Sequence, residues 1–220
     1  MNRTLRDNGL SIVLMALFLV FWVGQSVTGN RQFNSEQREH NQPELSYSNY
    51  LRSDHFWEAT AENWESEFFQ MFGYVILTAL LFQRGSSESK DPDEPEPVDR
   101  DPRQSKERDA PWPVHRGGLV LKLYENSLSL AFLLLFLISI ALHALAGAGE
   151  YNEEQAAHGG SEQLSVLQYA GTSRFWFESF QNWQSEFLAI GAMVMLSIFL
   201  RQRGSPESKP VDSPHHDTGS

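Results

Sequence analysis

NWESEFFQMFGYVILTALLF, residues 63–82, is the stretch that decides how this chain is read. It begins polar and acidic, turns apolar at Phe68 and stays almost wholly so to Phe82. A near copy, NWQSEFLAIGAMVMLSIFL, fills residues 182–200. A tryptophan beside acidic residues at the mouth of an apolar run suits the level of lipid headgroups, with the run itself in hydrocarbon. Trp64 and Trp183, and upstream of them Trp57 and Trp176, are the expected interface anchors.

Two longer apolar blocks precede these runs. Residues 10–28 and 127–146 carry no formal charge and are long enough to cross about 30 Å of hydrocarbon. The runs 68–82 and 187–200 reach only about 21–23 Å at the rise of an α-helix. They complete a crossing only if the preceding NWxSEF segment is helical too, or if the bilayer is thin. Arg3 and Arg6 before the first block would suit a signal peptide, but no small-x-small cleavage site follows and its internal counterpart cannot be a signal. The first block is therefore read as a retained helix. The mean hydropathy of −0.38 conceals all this, because apolar residues are gathered into blocks.

The cations orient the chain. Of 17 Lys and Arg, two (Arg3, Arg6) precede the first block and eight lie in the central segment: Arg84, Lys90, Arg100, Arg103, Lys106, Arg108, Arg116 and Lys122. Three more, Arg201, Arg203 and Lys209, follow the last block. The other two loops hold only Arg31, Arg38, Arg52 and Arg174. Cytoplasmic loops concentrate Lys and Arg, so both termini and the centre are expected inside and the two loops outside.

The halves repeat. Asn8, Leu10, Ser11, Leu17, Phe18 and Leu19 match Asn126, Leu128, Ser129, Leu135, Phe136 and Leu137 at an offset of 118. Asn34, Glu36, Gln37 and His40 match Asn152, Glu154, Gln155 and His158. One inserted residue makes the offset 119 for Tyr50, Phe56 and Trp57, and QRGSSESK (83–90) returns as QRGSPESK (202–209). The expected fold is an all-α membrane protein: four transmembrane helices in two tandem hairpins, with a pseudo-two-fold axis along the membrane normal. Residues 1–90 form the first hairpin and 118–209 the second. Residues 91–117, rich in Pro and both charges, are expected to be a disordered cytoplasmic linker, and 210–220 a similar tail.

Three motifs offer chemistry. Glu36 and His40, like Glu154 and His158, are spaced to share a helix face. Two Glu and two His brought together would suit a divalent metal such as Zn, Fe or Mn; the alternative is a local i,i+4 contact on a wet helix. In the opening motif, Asn63 and Asn182 either cap the spanning helices, with Glu67 and Glu186 near the positive helix end, or the helices begin at Asp54 and Ser173 and place both glutamates deeper. In the second case Glu67, Glu186, Gln25, His143, Asn63 and Asn182 are candidates for a polar proton or cation site. Last, QRGSxESK reads as a helix stop with Gly85 and Gly204 at C′. Its flanking Arg84, Lys90, Arg203 and Lys209 are suited to anionic lipid headgroups.

Composition narrows the rest. Without cysteine there are no disulfides or thiolate metal sites. A net charge of −11 argues against a nucleic-acid partner. Glycine-rich phosphate loops, a Gly-x-Ser-x-Gly elbow and His-Glu-x-x-His are missing, so no catalytic residue is assigned. His215 and His216 sit in a polar tail and read as solvated.

At NGLSIVL, NSEQREH, NWESEFFQM and QRGSSESKDPDEP the chain resembles a domain-of-unknown-function family of bacterial integral membrane proteins with a duplicated two-helix hairpin. The resemblance implies the cytoplasmic (inner) membrane and brings no activity, ligand or catalytic residue. The second copy departs from the first at Gln184 for Glu65 and at Ala156-Ala157 for Arg38-Glu39. The expected role is a non-enzymatic scaffold or envelope component whose partner is the bilayer, compatible with a homo-oligomer. The alternatives are a small cation or proton transporter or channel with an acidic outer mouth, and a metal-binding membrane enzyme using the Glu/His pairs. No cofactor beyond that divalent metal is implied.

Overall fold

Ser53 and Thr172 start the two helices on which the NWxSEF motifs lie. Each hydroxyl donates to a carbonyl three residues back (Tyr50 O and Tyr169 O, both 2.7 Å) and accepts a backbone N–H three residues ahead (Phe56 N and Phe175 N, both 3.3 Å). That satisfies donors which the first helical turn leaves open. In this computed structural model the helices run from Asp54 to Leu80 and from Ser173 to Leu196. Asn63 and Asn182 are therefore mid-helix residues and not caps, and the caps stand one residue before Asp54 and Ser173.

The structure describes every residue except Met1, Asn2, Pro92, Glu94, Pro95, Lys106, Glu162 and Ser220, together with the side chains of Arg3 and Leu5. Two of the cations counted above, Lys106 and the Arg3 side chain, thus lie outside it. Among the described residues there are helices and turns but no strand. In chain order the helices are α1 (Arg3–Asp7), α2 (Gly9–Glu39), α3 (Tyr47–Tyr50), α4 (Asp54–Leu80), α5 (Trp112–Arg116), α6 (Gly118–Glu125), α7 (Ser127–Ala157), α8 (Val166–Tyr169) and α9 (Ser173–Leu196). Two 3-10 turns, Pro97–Asp99 and Pro102–Gln104, lie in the central segment.

Length is where α2 and α7 inform most. Each has 31 residues, about 46 Å at 1.5 Å per residue, and each is long and apolar enough to cross a membrane. The uncharged blocks use up only part of that length. What was expected to be the start of an outer loop is helix as far as Glu39 and Ala157, and the polar motif lies on its last turns. With 27 and 24 residues, α4 and α9 are longer than their apolar runs, but among the described residues only α2 and α7 are both long and apolar enough to cross a membrane.

Two compact units divide the chain: Met1–Ala61 with Ala141–Phe175, and Glu62–Ile140 with Trp176–Ser220. The first unit buries Tyr50, Phe56, Tyr169 and Phe175 with the small residues Ala144, Ala146 and Ala148. Its α2 turns its largest apolar side chains outward, among them Leu10 (75 % exposed) and Phe21 (69 %), and only 6 % of its most apolar stretch is covered. The second unit differs inside. Ser66, Ser129, Ser139, Ser179 and Ser197 are buried, whereas Leu80, Leu134, Leu188 and Met195 are exposed. Small polar residues inside and large apolar ones outside is the reverse of a water-soluble core.

The QRGSxESK segments lie in the second unit, beyond the ends of α4 and α9. In each, a backbone N–H closes a four-residue turn (Ser86 N to Gln83 O and Ser205 N to Gln202 O, both 3.2 Å). Gly85 and Gly204 take φ of 84° and 85°, whereas Arg84 and Arg203 keep negative φ. Positive φ at the third position alone is the type II pattern, which calls for glycine. Ser89 and Ser208 then accept from Gln83 N and Gln202 N, both at 2.9 Å, and close the loop. The glycines thus serve an independent turn and not a helix C′ position.

Candidate functional site

The C-terminal ends of α2 and α7 are built by the same small set of contacts. Asn34 donates its amide to Leu45 O (2.9 Å) and accepts Leu45 N–H (2.8 Å); Asn152 does the same with Leu164 O and Leu164 N, at 2.9 and 2.8 Å. Each asparagine thereby pairs with a peptide group as a neighbouring strand would, and fixes the chain that returns from the helix. Phe33 packs on Tyr50 (5.8 Å between ring centres) and Tyr151 on Tyr169 (6.1 Å). The tyrosines reach the core because Gly29 and Gly147 leave room: a Cβ there would come within 2.2 Å of Tyr50 Oη and 2.5 Å of Tyr169 Cε1.

His40 and His158 end these helices. Their Nδ1 atoms lie 2.9 and 2.8 Å from the carbonyl oxygens of Glu36 and Glu154, four residues back. A carbonyl oxygen only accepts, so each Nδ1 carries the proton and each Nε2 keeps a free lone pair. The two rings stand 5.6 Å apart between centres. The histidines singled out from sequence therefore meet.

They share a cavity of about 270 Å³ with Glu36, His55, Glu150, Glu153, Glu154 and Arg174. Glu36 and Glu154, the carboxylates paired with the histidines in sequence, each already have a partner. Glu36 accepts from Gln32 Nε2 at 3.2 Å, and Glu154 holds the Arg174 guanidinium. Glu150 is the carboxylate with capacity to spare: one oxygen is 4.0 Å from Arg174, while Oε2 is buried and lacks a hydrogen-bond partner. Burial pushes the Tyr50 phenol up to about 12, and the charges of Glu150 and Glu36 add to this. A phenol that stays protonated acts as the donor to His55 Nδ1, 3.2 Å away.

A second polar group sits in the same unit. His143 is fully buried and Glu58 is 8 % exposed, with a carboxylate oxygen and a ring nitrogen within 4.8 Å of one another. Phe175 packs against the imidazole at 4.7 Å. Gln25 donates to the buried Thr60 hydroxyl at 3.4 Å. Glu58 was not foreseen. The signal was present once α4 is started at Asp54, because Glu58, Glu62 and Glu65 then follow at i, i+4 and i+7 on one face.

In the other unit, the NWxSEF motifs distribute their acids unequally. Glu65 is fully buried and accepts the Trp183 indole N–H at 3.0 Å. Glu67 is exposed and Glu186 half-buried; Gln70 donates to the Glu186 backbone carbonyl at 2.7 Å. Asn182 donates to the Glu62 carboxylate, and Asn63 is exposed, with its carbonyl taking the Ser66 hydroxyl at 2.8 Å. Gln25 and His143 belong to the first unit, Glu67 and Glu186 to the second. Of the expected anchors, Trp57 donates to Leu51 O at 3.1 Å, Trp176 is 40 % exposed, and Trp64 and Trp183 are half-buried.

The four cations considered for lipid headgroups also differ. Arg84 and Arg203 are exposed. Lys90 is paired with Asp99. Lys209 is 2 % exposed and gives its ammonium to three tail carbonyls, Pro214 O (3.3 Å), His215 O (3.1 Å) and Asp217 O (2.7 Å). The tail continues to the first QRGSxESK turn, where Gly85 N donates to Thr218 Oγ1 at 2.9 Å and Gly219 N to Ser86 O at 3.0 Å.

No curated protein and no solved structure matches this chain. A family model does, over residues 1–220, and by that match the chain belongs to the family described as domain of unknown function DUF6766.

Proposed function

We propose that the chain is a four-span protein of the bacterial cytoplasmic membrane with both termini inside, built from two hairpins related by a pseudo-two-fold axis along the membrane normal. Its task on this reading is non-enzymatic: it holds the histidine-lined cup at the outer membrane face as a binding site. The observation that carries the reading is α2. Its apolar half exposes leucines, valines and phenylalanines that only lipid would cover, while its far end is polar and fixed by Asn34 and His40. The cation asymmetry supports the orientation. Alkaline carbonate extraction of cell membranes tests the embedding: the protein should stay in the pellet and leave it only with detergent. Release into the carbonate supernatant would overturn the proposal.

The buried Glu58 and His143 favour a second reading, passage of a proton or small cation, since ionisable groups in membrane proteins usually mark such paths. Proton flux into liposomes that Glu58→Gln abolishes would support it. Flux equal to that of protein-free liposomes would remove it.

A further inference from the structure

We propose that residues 112–124, just ahead of α7, lie in the headgroup layer of the cytoplasmic leaflet, with Leu119 and Leu123 toward the acyl chains and Arg116 and Lys122 on anionic phospholipid. The inference rests on the reading of α7 as a spanning helix with the central segment inside, and it names a surface and a lipid class that this reading leaves open.

The residues come first. The stretch WPVHRGGLVLKLY, residues 112–124, carries His115, Arg116 and Lys122 and no acid, whereas residues 91–109 before it are crowded with Asp and Glu. It folds as α5 and α6, parted by Gly117 and Gly118, whose φ of 66° and 62° breaks the helix. Leu119 and Leu123 are four apart and share a face of α6; they are 76 % and 58 % exposed. Leu121, two residues from each, lies on the other side and is 2 % exposed. Lys122, three residues after Leu119, is exposed on the leucine side, and Trp112 and Arg116 are exposed too. An outward face of two leucines and a lysine, with a tryptophan and an arginine just upstream, has the make-up of a helix lying in a membrane surface.

Position says what covers that face. Asn126 ends α6 and starts α7: its side-chain amide donates to Lys122 O at 2.8 Å, and its own carbonyl takes the Leu130 N–H at 2.9 Å and the Ser129 hydroxyl at 3.0 Å. One residue thus separates α6 from the first residue of a helix long and apolar enough to span. What immediately precedes a spanning helix sits among headgroups, where tryptophan is favoured. Leu128 and Leu130, in the first turn of α7, are exposed, so the apolar surface of α6 continues into the one that lipid covers on α7. The charge matches as well. The cytoplasmic leaflet is anionic and attracts Lys and Arg next to a span, and a lysine stem lies along apolar surface while its ammonium reaches the phosphates. Two of the four cations first matched to headgroups, Lys90 and Lys209, are engaged within the protein, which moves that role toward Arg116 and Lys122. Eight residues, about 12 Å of helix, would hold a membrane weakly if free. Joined to α7, α6 is already at the surface, and its insertion is an intramolecular step.

The test uses the full chain, which has no cysteine, carrying one nitroxide-labelled cysteine at a time. It is reconstituted in phosphatidylcholine vesicles with and without about one quarter phosphatidylglycerol, which supplies the negative surface potential. Collision with O2 reports lipid, and collision with a water-soluble Ni²⁺ chelate reports water. Leu119→Cys and Leu123→Cys replace exposed side chains and leave the buried Leu121 in place. Leu134→Cys, exposed on α7, reports on the span, and Ser105→Cys is the reference for water. We expect labels at 119 and 123 to meet O2 more than the chelate, at a shallower depth than 134, with 105 reversed. In Arg116→Gln/Lys122→Gln, or without phosphatidylglycerol, chelate collision at 119 should rise by about twofold or more. Free chelate access at 119 and 123 while 134 stays in lipid overturns the proposal and leaves the spanning helix standing. Shielding of both labels from O2 and chelate alike means that protein, this chain's or a second copy's, covers the face, and overturns it too. Equal depth with and without phosphatidylglycerol overturns the role given to the two cations. Chelate access at 134 itself would remove the membrane reading along with the inference.

Discussion

The cost of adding one methyl group at Gly29 and one at Gly147 should be rescued differently, for a reason visible in their surroundings. Both glycines lie in long helices, so alanine by itself would be favoured by about 1 kcal/mol. Against this stands the close approach of a buried tyrosine. At Gly29 the new Cβ meets Tyr50 Oη at 2.2 Å, whereas the next atom, Cζ, is 3.2 Å away. At Gly147 it meets ring carbon Cε1 of Tyr169 at 2.5 Å, with Cζ and Oη both at 2.7 Å. The tyrosines are 2 % and 0 % exposed and have little room to retreat, so overpacking costs about 1–3 kcal/mol at each site. We expect net losses of about 1 kcal/mol, and at most about 2 kcal/mol, for Gly29→Ala and for Gly147→Ala, lowering Tm by about 2–8 °C in a chain of this size. The partners distinguish the two. Tyr50→Phe removes the offending oxygen, so the Gly29→Ala/Tyr50→Phe double variant should recover nearly all of the loss. Tyr169→Phe leaves the ring carbon in place and should not rescue Gly147→Ala. Gly24→Ala, where a Cβ meets nothing within 4 Å, should be neutral or stabilising. The assay is thermal unfolding in detergent, read as a double-variant cycle. If Gly29→Ala were as harmless as Gly24→Ala, or if both tyrosine changes rescued equally, the packing described for α2 and α3 would be refuted.

Other outcomes follow from single contacts. Asn34→Ala removes two hydrogen bonds to Leu45 and should cost about 1–3 kcal/mol and speed proteolysis at residues 41–46, whereas Asn34→Asp keeps the acceptor and should fall between; equal melting of all three would refute the clamp. Lys209→Met should free the tail, seen as faster hydrogen exchange at Gly85 and Gly219; unchanged protection would show that the lysine does not hold it. The Lys90 ammonium and the Glu96 backbone N–H hold the Asp99 carboxyl below its ordinary range. Because the folded value is depressed, the pair should persist at neutral pH and be lost only as pH falls through that lowered value. An NMR titration should show Lys90→Gln moving Asp99 back up, and an unmoved titration would rule out the pairing.

How much of this was legible beforehand depends on what each feature rests on. The long apolar blocks were plain because bilayer thickness demands length, and length is visible in one dimension. The polar ends of α2 and α7 were not, since residues 29–39 and 147–157 lack an apolar stripe and their helicity depends on tyrosines docking at Gly29 and Gly147. Of the two starts the sequence allows, the structure takes Asp54 and Ser173, with the capping hydroxyls one residue earlier at Ser53 and Thr172. Ser53, Asp54, Thr172 and Ser173 all cap well in isolation, and only the hydrogen bonds choose between neighbours. Weight fell on Glu67 because Glu186 shares its position in the second copy. Two residues apart on a helix means nearly opposite faces, and it is Glu65 that faces inward, toward a tryptophan that no comparison of copies would pair with it. The near-identity of QRGSSESK and QRGSPESK has a reason: the glycine sets the turn and both serines bond backbone amides. The meeting of His40 and His158 was conceivable from the repeat. The pairing of Glu154 with Arg174, and the buried Oε2 of Glu150, are tertiary facts, whereas the Gln32–Glu36 contact is a local i,i+4 pair.

The central claim is that α4 and α9 cross the membrane along with α2 and α7, and the side on which the central segment lies decides it for α4. The chain has no cysteine, so Ser48→Cys and Ser105→Cys, both at exposed positions, each supply a single thiol. With an impermeant maleimide on intact cells, Ser48→Cys should label at once and Ser105→Cys only after the inner membrane is opened. Labelling of both from outside would mean that α4 does not cross, and would contradict the four-span account.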